Sequence, residues 1–95
     1  MTPTTGCTAP PLPQDALATG DSNLTLATRI MLYAQAGNLT GLPAISFPAG
    51  YDDAGLPIGF QAMGRPWRED LLLKLAAVAE QAVVRKKPRV HFELL

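Results

Sequence analysis

The sequence predicts an α/β chain, and three observations carry that prediction. Residues 41–66 read as two short strands joined by a turn. The segments on either side repeat their apolar residues at helical spacing. The balance of 47% apolar to 17% charged residues is that of a packed chain, and 95 residues make at most one small domain.

Residues 1–20 are expected to form an extended loop. Pro3, Pro10, Pro11 and Pro13 cannot donate to a ladder and restrict the residues before them, so this stretch reads as a strand end running into irregular chain. Gln14 to Gly20 follows as a polar connector. Cys7 is the single cysteine, which excludes an internal disulfide and a cysteine-built zinc site.

Residues 21–37 are expected to be one helix. Asp21 or Ser22 would cap it, because either side-chain oxygen can take a free N–H of the first turn. Leu26, Ile30 and Tyr33 fall at i, i+4, i+7, with Ala27, Met31 and Ala34 as the neighbouring stripe. Gly37 would end the helix just past Ala36.

In the hairpin, residues 41–66, Pro43 opens a strand through Ala44, Ile45, Ser46 and Phe47, and Pro48 is expected to stop the ladder. Gly50 to Gly55 concentrates Asp and Gly, which bond their own backbone or supply positive φ, so it reads as the turn. Leu56 to Met63 is the second strand. Ile58, Phe60 and Ala62 lie on one face and Gly59, Gln61 and Met63 on the other, so neither face is clearly solvated and the strand reads as central in a larger sheet. A hairpin alone is marginal in water, so further strands are required beside it.

Residues 67–87 are expected to hold the last helix, with its body from Glu69 to Val84. Trp67 and Leu72 are spaced as a hydrophobic staple around an Arg68 cap, which makes Trp67 an expected packing anchor. Glu69 and Asp70 suit the positive end of the helix dipole. Leu71, Leu75, Val78 and Ala82 adjoin a second stripe of Leu72, Ala76, Ala79 and Val83, as in a helix laid on a sheet. Arg85 to Lys87 complement the C-terminus and Pro88 stops it. Residues 88–95 form a tail in which Val90 to Leu95 alternate weakly, as a short edge strand would.

The sequence holds no recognisable catalytic constellation. Cys7 and His91 are the only thiol and imidazole, and nothing in the sequence supplies an orienting third group. The carboxylate pair Glu69–Asp70 belongs to a helix start, and Asp52–Asp53 to a turn. Gly55, Gly59 and Gly64 lack the strand–loop–helix setting of a phosphate cradle and read as positions of close packing. Neither a cofactor nor a metal is expected. Eight acidic residues balance eight basic ones, so there is no net field to draw nucleic acid. No apolar run approaches the ~20 residues of a membrane helix and no signal peptide opens the sequence. The compartment stays open, with the cytoplasm compatible.

Asn38-Leu-Thr-Gly-Leu-Pro-Ala-Ile-Ser46, followed by Gly55-Leu-Pro-Ile-Gly-Phe-Gln61 and Gly64-Arg-Pro66, resembles the carboxy-terminal part of the amidase signature family. Within that family, Thr2-Pro-Thr-Thr-Gly6, Gly64-Arg-Pro-Trp67 and Lys86-Lys-Pro88 look most like the plant-type fatty acid amide hydrolases. The resemblance implies a partial amidase-signature α/β/α sandwich, a β-hairpin of a mixed sheet plus two helices, incomplete as a domain. It also implies a parent that cleaves carboxamides, N-acyl amides among them, with a serine, a second serine in a cis peptide and a lysine. Those serines lie in a Gly/Ser-rich stretch upstream of the matched part. The serines here are Ser22 and Ser46, and Lys74, Lys86 and Lys87 fall in or after the last helix, so no catalytic residue carries over.

Pocket wall is what carries over. In fatty acid amide hydrolases the helix matching Asp21 to Ala36 lies near the acyl channel, which makes Thr28 and Met31 the expected substrate-binding residues, with core packing as the competing reading. The parent's partner would be a small-molecule amide, with a homodimer among the assemblies open to it. In the family an apolar strand precedes the residues matching Thr2 to Thr5, so the sequence is expected to begin mid-domain and the chain alone to be inactive. Two other functions stay open: a segment of a glutamine-dependent amidotransferase subunit, and a noncatalytic small protein that binds or complements a partner through an open sheet edge.

Overall fold

The computed structural model describes residues 1–86 of the chain. The elements run β1 (Thr2–Pro3), α1 (Ala16–Thr19), α2 (Leu24–Met31), α3 (Ala34–Thr40), β2 (Ala44–Tyr51), β3 (Pro57–Met63) and α4 (Glu69–Ala82). The expected tail strand, Val90 to Leu95, and the stop at Pro88 lie outside the described residues.

The three strands form an antiparallel sheet in the order β1-β3-β2. β3 is therefore central, as expected, with a partner on each side, although Ile58 and Phe60 remain 37% and 40% exposed. β1 supplies the second partner, pairing Thr2 with Gln61 and Pro3 with Phe60. Thr4 extends that edge by donating its N–H to the Gly59 carbonyl at 2.9 Å.

α4 covers one face of the sheet, and the α2–α3 segment touches the other. α4 packs Leu72, Ala76 and Ala79 against Ile45, Phe47 and Ala62, which form the small core. On the other face Gln61 reaches the α2–α3 segment, donating from Nε2 to the Tyr33 carbonyl at 3.1 Å. Four helices and a three-stranded antiparallel sheet thus make a partial α/β domain.

Five expectations are corrected, the last being the extended loop over residues 1–20, within which α1 forms a short helix at Ala16–Thr19. Pro48 does not stop the first strand: β2 continues to Tyr51 because it is an edge strand, where a missing N–H leaves no inner partner unmet, and the register slips between Pro48 and Gly50. The expected single helix over 21–37 is two helices. Asn23, not Asp21 or Ser22, caps the first, its Oδ1 accepting from Leu26 N at 3.0 Å. The second runs through Gly37 and ends at Gly41, whose φ of 66° is the left-handed conformation that glycine adopts without strain. The break between the helices falls where other elements press in. Leu32 N tightens onto the Arg29 carbonyl at 3.4 Å, and Gly6 lies so close to that carbonyl that a Cβ there would stand 2.2 Å from its oxygen.

The third correction is Trp67. It is 89% exposed and anchors nothing within the described residues. Arg68 N donates to the Arg65 carbonyl at 3.2 Å, closing a turn with Pro66 second and Trp67 third at φ 62°. That is the positive φ of a type II turn, and it swings the ring away from Leu72 where a staple would have aimed it. The fourth is the end of α4 at Ala82, short of Val84. Val83 is extended, at φ −96° and ψ 124°, and the chain is drawn to the sheet by Lys86 N, which donates to the Tyr51 hydroxyl at 2.8 Å.

The hairpin turn is built by one carboxylate. Asp52 Oδ1 accepts from Leu56 N at 2.8 Å while the Asp52 carbonyl accepts from Gly55 N at 2.9 Å. The Leu56 N–H stabilises the ionised form and holds the Asp52 carboxyl below its ordinary pKa. A depressed pKa means the turn bond is present at neutral pH and lost as pH falls through the folded-state value. The Leu56 amide proton shift should therefore titrate with a midpoint below the usual aspartate value, and Asp52→Ala should abolish that titration. An unchanged profile in the variant would remove Asp52 from the turn.

Candidate functional site

The polar groups that the fold brings together lie on the sheet face toward α2 and α3. Gln61 is the one buried polar side chain among the described residues, 9% exposed. Its Nε2 donates to the Tyr33 carbonyl and, at 3.5 Å, to Thr2 Oγ1. One amide thus joins β1, β3 and the start of α3. Beside it, Thr4 Oγ1 and Ser46 Oγ stand 2.6 Å apart across β3. A Cβ on Gly59 would approach Thr4 Oγ1 to 2.9 Å, so the hydroxyl pair closes over a strand position that has room for hydrogen only.

Sequence reasoning placed Gln61 on a face but gave it no role, and it missed the hydroxyl pair. The available signal was chemical: a glutamine inside a strand with no clearly solvated face must find partners. Ser46 alternates with Ile45 and Phe47, which puts it on the face opposite the core.

The expected substrate residues sit on the outer surface of α2. Thr28 Oγ1 donates back to the Leu24 carbonyl at 2.8 Å, and Met31 is 45% exposed. A shallow recess of about 280 Å³ lies on another side of the same helix, lined by Asn23, Leu24, Leu26, Ala27 and Ile30. Neither Thr28 nor Met31 lines it. A larger cleft of about 370 Å³ opens between β2 and α4, with Phe47, Tyr51, Leu73, Ala77 and Val83 in its walls and the Glu80–Arg85 ion pair at its rim.

The charged pairs read as structural. Arg68 Nε donates to Asp70 Oδ1 at 3.0 Å, which lowers the Asp70 pKa and raises that of Arg68 at the start of α4. Asp52 is committed to its turn. Among the described residues no group of three or more His, Cys, Asp or Glu side chains could hold a metal ion. The Cys7–His91 pair cannot be placed, since His91 lies outside the described residues. No described helix is long and apolar enough to cross a membrane.

An α/β segment with this sheet order and the Asn38–Pro66 motifs points to a class. The Amidase family model matches residues 1–73, and the chain belongs to that family. Among its relatives, a fatty acid amide hydrolase of Arabidopsis thaliana is 53% identical over 96 residues, covering 100% of this chain. One from Oryza sativa subsp. indica is 50% identical over 93% of the chain. A glutamyl-tRNA(Gln) amidotransferase subunit from a Picosynechococcus species is 54% identical, over 56% of the chain. The chain spans only 16%, 14% and 11% of the length of these three relatives, respectively.

The geometry around Gln61 gives a direct test. Gln61→Leu keeps the volume but leaves the Tyr33 carbonyl without its side-chain donor, and a hydrogen bond of this kind contributes about 1 kcal/mol. Limited proteolysis within residues 24–40 should run about five- to tenfold faster in the variant, because cleavage tracks the open population. Equal cleavage rates would show that Gln61 does not hold the two helices to the sheet.

Proposed function

We propose that this chain is scaffold and pocket wall of an amidase-type hydrolase acting on N-acyl amides, and that it contributes none of the catalytic residues. The observation that supports the choice is the extent of the similarity. It runs the whole chain at 53% identity with the Arabidopsis fatty acid amide hydrolase, against 56% of it with the Picosynechococcus amidotransferase subunit and 83% of it, at only 40% identity, with rhizobial ones. In such an enzyme the serine–serine–lysine machinery would sit elsewhere, and this segment would hold the sheet on which it is mounted. Thr28 and Met31 would face the acyl chain once the neighbouring part of the enzyme stands against α2. Met31, exposed and unbranched, suits an adaptable apolar wall.

The surface supports a part that needs more protein around it. The chain exposes 7973 Å², whereas a compact monomer of its 10.1 kDa exposes about 5300 Å². Leu71 and Val78, 48% and 66% exposed, leave the first stripe of α4 largely uncovered among the described residues.

Made alone, the chain should show no turnover of acyl or aryl amides. Turnover that survives purification and disappears on Ser46→Ala or Cys7→Ala would overturn the reading. Its urea titration, followed by helix circular dichroism since Trp67 is already exposed, should be broad; a sharp transition from a monomer would show a self-sufficient domain. In a complete hydrolase containing this segment, Met31→Ala should raise KM for long-chain N-acyl amides about fivefold with kcat little changed. An equal effect on short and long acyl chains would remove Met31 from the pocket wall.

A further inference from the structure

Among the described residues β2 has a strand on one side only, and the register says which of its groups face the other side. Gly64 N donates to the Pro43 carbonyl at 2.9 Å, so the alternate residues Ile45 and Phe47 bond β3, and the backbone groups of Ala44, Ser46 and Pro48 turn outward. All three precede the slip between Pro48 and Gly50 and are exposed. Beside this edge runs the apolar cleft of α4, where Leu73 remains 63% exposed next to Ala77. An open edge with an apolar wall is a place where another strand adds.

An antiparallel copy of β2 matches this edge. Centred on Ser46, the pairing sets Ser46 opposite its counterpart and Ala44 opposite Pro48 of the second copy. Every Ser46 and Ala44 N–H then meets a carbonyl, and the N–H that Pro48 lacks leaves only the Ala44 carbonyl to solvent. On the α4 face the same register brings Ile45 beside Phe47 of the second copy, a β-branched and aromatic cross-strand pair. Both α4 helices lie on that face, with Leu73 and Ala77 turned toward the seam.

Charge favours a second copy over a foreign strand. Arg65 follows Gly64 at the Ala44 end of β2, and Asp53 lies just past Tyr51 at the other end. Both side chains are exposed, and neither forms an ion pair among the described residues. A two-fold axis lays unlike ends side by side, so each Arg65 is set toward the Asp53 of the other chain, and the contact occurs twice. Glu80 and Arg85 at the cleft rim neutralise each other, and the net charge of zero puts no long-range repulsion between copies.

We propose that two copies of this chain pair through the outer edges of β2, antiparallel about Ser46, with their α4 helices side by side on one continuous sheet. The pairing covers Leu73 and removes an open edge from each copy. It is independent of the hydrolase reading.

Sedimentation equilibrium tests it on the 95-residue chain, in reductant so that Cys7 cannot link two copies. A reversible monomer–dimer equilibrium is expected. Arg65→Asp or Asp53→Arg alone should weaken it about tenfold, because each change sets like charges together at two places, and both changes in one chain should restore it to within about threefold. Ser46→Pro, which removes an outward N–H at the centre, should abolish the dimer while leaving the helix circular dichroism of the chain unchanged. A chain that stays monomeric, a dimer indifferent to the single charge changes, or a double variant no tighter than the singles would each overturn the proposal. So would open-ended growth, since a two-fold contact closes. The charge cycle decides the matter by itself if Ser46→Pro loses its helix signal; a well-folded Ser46→Pro dimer would overturn it too.

Discussion

The Gln61 side-chain amide is the interaction on which the arrangement of this chain depends. It sits on the central strand, is almost wholly buried, and spends its donors on Thr2 of the neighbouring strand and on the Tyr33 carbonyl at the start of α3. A buried amide without partners would cost about 1–3 kcal/mol, so β1 and the helical layer are held at the positions that satisfy it. The opposite face of the same strand carries Ala62, small enough for α4 to approach and set Leu72 beside Phe47. One strand, polar on one side and apolar on the other, thus dictates what each helical layer must offer.

Much of the fold was legible because it follows from local rules. Two strands and an Asp/Gly turn are a spacing pattern, and the centrality of β3 followed from a residue pattern with no clearly solvated face. What was not legible came from contacts between distant residues. Periodicity alone gives one helix from Asp21 to Gly37, since nothing in that stretch records that Gly6 will abut the Arg29 carbonyl or that Gln61 will bond Tyr33. Pro48 was misjudged for a related reason. A proline ends a strand that is paired on both sides but is tolerated on an edge, and which strand is the edge is a property of the sheet order.

The site was less legible than the fold. Thr28 and Met31 were singled out by resemblance, and both lie on the surface of α2, with the Thr28 hydroxyl already bonded to its own helix. A pocket wall is defined by what stands opposite it, and no described element stands opposite α2 there. The hydroxyl pair Thr4–Ser46 shows the converse. Two residues 42 positions apart meet at 2.6 Å because β1 and β2 flank a glycine of β3, a relation that only the register reveals.

Trp67 joins these threads. A bulky aromatic at φ 62° is a strained choice where glycine would be free of cost, and an 89% exposed ring gains little from the described residues to offset that strain. The neighbouring groove has Met63, Leu71 and Leu75 in its wall and Arg65 and Arg68 at its margin, so the turn presents an aromatic ring beside an unfilled apolar surface. Strain of this kind persists where the surroundings over-determine it, and among residues 1–86 they do not. The turn at Trp67 and the uncovered stripe of α4 therefore make the same physical statement from independent observations. In both places the described residues build the local geometry without packing against it.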